Sequence, residues 1–256
     1  MALSDNRLDR YYSVLLDVSI STVVPGEIAV FGSGKRGDLK SGERDVVVFW
    51  LLCTNGRYVI SAHPDIVAPL RDYVAHIVNA DELMRHRHDD ALLTICKPVL
   101  PSGVELSLSG ISPKYTCDSV DRRFLDNPHV RALAWEDLPV VWQYLRDSGI
   151  ALTEVRKGTT YVYYHDEQPV ACSGAVPLKQ LSDELVEVGM ALTLETMRRR
   201  GFATAVVAAA TNAVLAEGRT PLYSTQEKNI ASQRTALAVG YREYGRMFMV
   251  RYRSAS

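Results

Sequence analysis

The chain has 256 residues, 47% hydrophobic and 23% charged, the composition of an ordinary globular protein of one or two domains. Disorder, collagen, a disulfide-stapled mini-protein and a coiled coil are excluded. Its 29 basic and 30 acidic side chains leave a formal net charge of −1, so no global field draws it to nucleic acid or to an anionic membrane. The four cysteines (Cys53, Cys96, Cys117, Cys172) form no CxxC pair. Zinc ribbons and thioredoxin-type motifs drop out, and buried free thiols are expected. The polar opening MALSDNRLDR and the strand-length apolar runs, such as Val46 to Cys53, read as neither a signal peptide nor a membrane span. A cytoplasmic enzyme or binding protein is the expectation.

Two blocks are expected, 1–119 and 125–256. In the first, Tyr12–Ser19, Glu27–Phe31, Asp45–Cys53 and Arg57–Ser61 are strand candidates, rich in Val, Ile, Leu and aromatics. Thr54-Asn55-Gly56 has the chemistry of a hairpin tip. After His63-Pro64, the spacing of Ile66, Leu70, Val74 and Ile77 places one apolar stripe on a helix. The charged run from Asp118 to Pro128 reads as a linker.

The second block opens with a short strand at His129–Leu133 and a helix entered through Trp135–Pro139 and continuing to Tyr144. Thr159–Tyr164 and Pro169–Val176 flank the turn His165–Gln168 as a β-hairpin, and Leu185–Thr193 is a further strand. An Ala-rich helix spans about 203–217 and stops at Gly218. A strand at Thr220–Ser224, a helix at Asn229–Val239 and a strand at Tyr244–Tyr252 complete the block. The alternation implies an α/β or α+β layered fold around one sheet.

Two motifs carry less than they promise. Gly32-Ser33-Gly34-Lys35 lacks a glycine at Ala29 and a hydroxyl at Arg36, both needed by a P-loop, so a solvated hairpin loop is expected. His86-Arg87-His88-Asp89-Asp90 has ligand-type side chains but no third ligand motif nearby. A charged helix end is expected there, and no metal.

The informative stretch is Arg198-Arg199-Arg200-Gly201-Phe202-Ala203-Thr204, between a strand and a long helix. A helix N-terminus presents unpaired N–H groups and partial positive charge, so clustered cations there are locally unfavourable. An anion seated in the turn removes the conflict, with Gly201 permitting close backbone approach and Thr204 adding a hydroxyl. Three solvated surface arginines are the competing reading, which leaves their clustering unexplained.

Arg198-x-x-Gly201-x-Ala203 resembles the R/Q-x-x-G-x-G/A signature of the GNAT superfamily of acetyl-coenzyme A-dependent N-acetyltransferases. The strand at 186–192, the strand at 221–224, Asn229-x-x-Ser232 and Gly240-Tyr241 stand where that family has counterparts, and the resemblance covers about 125–256. It implies a mixed, mostly antiparallel sheet flanked by helices, preceded by a second α/β domain. The alternation in the first block would suit a degenerate copy of the same fold that forms one wall of an acceptor pocket.

The resemblance also implies roles. Backbone of Ala191, Leu192 and Thr193 would pair with the pantetheine amides as if with an added strand. Arg198, Arg199, Arg200, Gly201, Phe202, Ala203 and Thr204 would cradle the pyrophosphate. Asn229 and Ser232 would bond the pantetheine arm, helix capping being the other reading. Gly189 would mark a bulge or close approach where the thioester enters, or simple packing against the Ala-rich helix.

Glu187 stands eleven residues before Arg198 and matches the general base of one branch of the superfamily, against the alternative of a solvated strand-edge carboxylate. The tyrosine that many members carry as general acid, seven residues after the asparagine, is Ala236 here. Tyr223, Tyr241 or Tyr244 would have to serve, or the thiolate leaves unaided. The expected activity is acetyl transfer from acetyl-CoA to a primary amine of a small molecule, an aminoglycoside, polyamine or amino-acid derivative, with Asp45, Asp89, Asp90, Asp118 and Asp121 as available carboxylates. A homodimer is compatible with this. A non-catalytic CoA-binding or sensing module is the alternative, favoured by Ala236.

Overall fold

The computed structural model describes residues 3–37, 45–85, 90–146 and 159–253. Along the chain, α1 (Leu3–Leu16) leads to β1 (Ile28–Gly32), β2 (Asp45–Thr54) and β3 (Arg57–Ala62). Helices α2 (Val67–Ala75), α3 (Ala80–Arg85) and α4 (Asp90–Cys96) precede β4 (Leu106–Leu108) and β5 (Ser112–Thr116). Then come β6 (Val130–Ala132), α5 (Leu138–Arg146), β7 (Thr159–His165), β8 (Gln168–Pro177) and β9 (Leu185–Thr193). The last elements are α6 (Phe202–Ala216), β10 (Thr220–Ser224), α7 (Ile230–Val239) and β11 (Arg242–Arg253). Strand pairing is mostly antiparallel, with β1–β3 and β9–β10 parallel.

Two compact units form, each drawn from both ends of the sequence. The first comprises Leu8–Pro113 with Tyr244–Ser256, the second Met1–Arg7 with Lys114–Glu243. In the first, β11 runs antiparallel along β2 from Gly245 to Arg253. In the second, Lys114, Tyr115 and Thr116 of β5 pair with β10. Each unit is thus completed by a strand from the other half of the chain.

In the first unit the strand order is β1-β3-β2-β11, with β4 also on β11. The β2–β3 tip turns at Asn55 (φ 47°) and Gly56 (φ 73°), the left-handed pair that a two-residue hairpin requires. Val48, Phe49, Leu51, Ile60 and Phe248 from the sheet meet Ile66 and Leu70 from the α2 region in one core. Of the strand expected at Tyr12–Ser19, Tyr12–Leu16 instead forms the end of α1. Leu8, Tyr12 and Leu16, four residues apart, are fully buried, the stripe of an amphipathic helix. Tyr12 stacks on Tyr244, whose hydroxyl donates to Asp9 at 2.6 Å, and this tertiary packing overrides the β propensity of the segment. The Gly32–Gly37 loop also differs from its expected solvated state. Arg36 is only 2% exposed; its Nε donates to Ser61 Oγ at 2.9 Å, a terminal nitrogen donates to the Leu15 carbonyl at 2.6 Å, and it lies over Trp50.

The second unit has the strand order β5-β10-β9-β8-β7-β6. Helices α6 and α7 cover one face through Val186, Val188, Val207, Ala210, Tyr223 and Val239. The other face receives α5 through Val141, packed with Val162, Tyr164 and Cys172. The β7–β8 tip is Asp166-Glu167, both at positive φ. The run 118–128 is no free linker: Asp121 N–H donates to the Val239 carbonyl at 3.0 Å, Asp121 caps a 3-10 turn over Arg122–Phe124, and Val120 and Phe124 pack on the α6–α7 core. The first turn of α1 is tied to the same unit. Arg7 donates to the Gly218 carbonyl at 2.8 Å, and Arg242 bonds Asp5 at 2.7 Å.

Candidate functional site

Strands β9 and β10 pair in parallel only at Leu185–Thr220, Val186–Pro221 and Glu187–Leu222. Beyond Glu187 the two part, while β9 stays on β8 as far as Thr193–Ala171. The register with β8 slips between Cys172 and Gly174, and Met190 has φ 52°, so a β-bulge turns the strand here. The bulge lies one residue beyond Gly189. A Cβ at Gly189 would meet nothing within 4 Å, which removes packing against the helix as its reason. Ser173 fixes the bulge by donating to the Gly189 carbonyl at 2.7 Å. The result is a wedge-shaped opening with one edge of Ala191, Leu192 and Thr193 turned away from β8. The Thr193 hydroxyl is buried there without a hydrogen-bond partner among the described residues.

The strand then enters the arginine turn. Arg199 has φ 65° and Gly201 φ 84°, so two left-handed residues bend the chain just before α6. Glycine occupies that region without strain; for an arginine it is costly. Gly201 is the N-cap of α6 and offers no side-chain cap, leaving the N–H groups of Phe202, Ala203 and Thr204 as the orphan donors of a helix start. Arg198, Arg199 and Arg200 are exposed. Arg198 lies 3.6 Å from Glu195, and Arg200 rests over the Phe202 ring. Phe202 itself is buried, stacked on Tyr163 with centroids 4.2 Å apart, and anchors the helix start to β7.

Asn229 caps α7, its side chain accepting from Ser232 N–H at 3.1 Å. The Ser232 hydroxyl bonds the Tyr223 hydroxyl at 2.8 Å. Ala236 is fully buried in the core beneath. Of the three tyrosines named as substitutes for its missing hydroxyl, Tyr241 is buried with its hydroxyl on Thr211 at 2.8 Å, and burial pushes its pKa well above the ordinary value. Tyr244 belongs to the first unit, engaged with Asp9. Tyr223, raised by burial and eased back by Ser232, is the one beside α7.

Glu187 projects to the face opposite α6 and α7, because its neighbours Val186 and Val188 pack into that helical core and strand side chains alternate. On the same face stands a residue that sequence reading passed over. Lys114, on β5 directly opposite Ser224, is 9% exposed. Burial lowers its pKa, and the charge of Glu187 raises it part of the way back. Neither side chain has a hydrogen-bond partner among the described residues. The available signal was a lone lysine in the short alternating run Ser112–Thr116, too brief to stand out.

Other expected groups are occupied or lie outside the described residues. Asp45 pairs with Arg251 at 2.6 Å, Asp121 with Arg123 at 2.7 Å and Asp118 with Arg242 at 3.5 Å. Asp90 sits in the first turn of α4. His86, Arg87, His88 and Asp89 are outside the described residues. Among the described residues no three His, Cys, Asp or Glu converge as metal ligands, and no helix is long and apolar enough to cross a membrane. The four cysteines are free thiols.

Comparison with known proteins matches residues 179–251 to the family model of FR47-like proteins. No curated protein matches the sequence. Among solved structures, a protein of Novosphingobium aromaticivorans assigned to the GNAT family superposes with a TM-score of 0.51 at 21% identity, over 60% of this chain and 70% of that one. An acetyltransferase from the GNAT family of Colwellia psychrerythraea matches over 99% of this chain and 98% of its own, at 14% identity and a TM-score of 0.49. A GCN5-related N-acetyltransferase-like protein of Streptococcus suis covers 99% of this chain and 100% of its own, at 16% identity and a TM-score of 0.46.

Proposed function

For a chain of GNAT fold, with this arginine turn closing the gap between two parting strands, we propose acetyl-CoA-dependent N-acetylation of a small primary amine. The observation that carries the reading is the sequence of three features along one edge. The strands β9 and β10 part after Glu187–Leu222, β9 bulges at Met190, and its end runs into an uncapped helix start with three arginines. An extended pantetheine arm fits the unpaired edge of β9 by strand addition. A pyrophosphate fits the N–H groups of Phe202 to Thr204, which the fold leaves without acceptors, and offsets the crowding of Arg198, Arg199 and Arg200.

The chemistry follows from what acyl transfer needs. The acceptor must attack as a neutral amine, the carbonyl must be polarised, and the sulfur must leave as a stabilised anion. Glu187, on the face opposite the two helices, takes the proton of the attacking amine. Coenzyme A supplies the activated acyl group; the turn and strand edge hold and orient it.

Replacement of Arg198 and Arg200 by Ala is expected to weaken acetyl-CoA binding in calorimetry by about 1.5–3 kcal/mol for each charged hydrogen bond lost. Unchanged affinity would falsify the placement of the pyrophosphate. Glu187→Gln is expected to reduce free-thiol release with an amine panel at neutral pH while acetyl-CoA affinity holds, and an unaltered pH–rate profile removes Glu187 as the base. The second reading, a CoA-binding sensor, rests on the buried Ala236. It predicts tight acetyl-CoA binding with no thiol release on any amine.

A further inference from the structure

Lys114 and Glu187 are opposite charges on one face, as the register shows. Lys114 stands opposite Ser224, and two residues back along β10 Leu222 stands opposite Glu187. Directly paired residues share a face, as do residues two apart. Ser224, Leu222, Glu187 and Lys114 therefore all project away from α6 and α7. One strand, β10, separates the lysine from Glu187, and the two are also offset by two residues along it, so their backbones lie about 12 Å apart, a span that only both side chains extended toward one another can close. Ser224, the residue between Lys114 and the opening, is small. Across the opening the corresponding position is Gly189, where a side chain would meet nothing within 4 Å. The row Lys114, Ser224, opening, Gly189 thus leaves clear space on this face where the strands part.

Lys114 is 9% exposed, and a charge carried on so buried a side chain loses most of its hydration. Lys114 has no hydrogen-bond or ion-pair partner among the described residues, and Glu187 is the charge that acts on it. The usual proton donor for the leaving sulfur would come from the opposite side, on α7. There the position is Ala236, sealed in the core.

We propose that Lys114 serves the leaving group: its ammonium faces the sulfur of acetyl-CoA held between β9 and β10, stabilises the charge that develops there, and returns a proton to it. This rests on the acetyltransferase reading above. In the transfer, the acceptor nitrogen bonds the acetyl carbon and loses a proton to the Glu187 carboxylate. The carbon–sulfur bond breaks with its electron pair on sulfur, which takes a proton from the Lys114 ammonium. Glu187 then returns its proton to Lys114, leaving acetylated amine and free CoA with both residues reset. Desolvation lowers the lysine pKa from its ordinary value, which makes the ammonium a better proton donor to the leaving sulfur.

The test needs no acceptor. CoA itself is bound to the full chain, its affinity measured by calorimetry and the ionisation of its thiol followed by the ultraviolet absorbance of the thiolate. In the wild-type protein the bound thiol is expected to titrate at least one pH unit below free CoA. Lys114→Met is expected to keep CoA affinity within about threefold and to return the thiol to the free value or above, while Lys114→Arg retains the lowered value. A wild-type complex whose thiol titrates like free CoA overturns the proposal whatever the variants do. So does a wild-type shift that persists in the Met variant. In both cases the acetyltransferase reading stands, since CoA is bound. Failure of the wild-type chain to bind CoA removes that reading and this inference together.

Discussion

At the residue scale, burial governs how charge and protons behave in this chain. Cys96 and Cys172 are buried thiols whose pKa values burial pushes up to about 12. Below pH 9 both the folded and the unfolded chain keep these protons. Above it the unfolded chain sheds protons that the fold retains, so stability falls as pH rises from about 9 toward 12, by up to about 1.4 kcal/mol per pH unit for each thiol. Urea midpoints measured between pH 8 and 10.5 are expected to fall, and Cys96→Ala to flatten the slope by one thiol's share. Arg36 is the counterpart among cations. Burial lowers its pKa to about 10, yet it stays charged at neutral pH, held by Ser61, the Leu15 carbonyl and Trp50. Arg36→Ala leaves that carbonyl without its donor and a void beside Trp50, an expected loss of about 3 kcal/mol in chemical denaturation. Sequence made Arg36 look like loop punctuation because glycines flank it. Its burial depends on Ser61 and Leu15, which are remote in the chain and carry no local mark.

At the element scale, the legible parts were those whose local chemistry and tertiary setting agree. The Asn55-Gly56 tip, strand Leu185–Thr193, strand Thr220–Ser224 and the α7 start at Asn229 coincide with their expected limits, because turn, cap and apolar pattern each specify the same boundary. The segment Tyr12–Ser19 misled because tyrosine and valine favour strands, whereas its burial repeats every four residues at Leu8, Tyr12 and Leu16. The bulge at Met190 was half legible: Gly189 flagged it, but the residue that turns is its neighbour. Arg199 at positive φ left no signal at all, since arginine has no preference for that region. Strand β11 gives a further expectation. A Cβ at Gly245 would lie 2.4 Å from the Cys53 carbonyl oxygen, a backbone atom that cannot swing aside. Gly245→Ala is expected to push β11 off β2 and to lower stability by about 1–3 kcal/mol, read as a shift in denaturant midpoint at unchanged slope.

At the scale of the whole molecule, contiguous blocks divide the sequence where the folded units do not. A fragment 125–256 would lack Tyr115, a member of the α6–α7 core, and would leave the β10 edge bare. It would also carry Met247, Phe248 and Val250 on a strand without β2 to pair with, an exposed apolar edge of the kind that aggregates. A fragment 114–243 keeps β5 and sheds that strand. The second is expected to stay soluble with helical circular dichroism at concentrations where the first precipitates; equal behaviour of the two would contradict the exchanged strands as the basis of each unit.

The exchange bears on how such a chain meets a protease. A nick in the stretch after Thr116 does not yield two autonomous products, because each fragment departs with a piece the other requires. Quality control would then see neither half persist as a folded remnant.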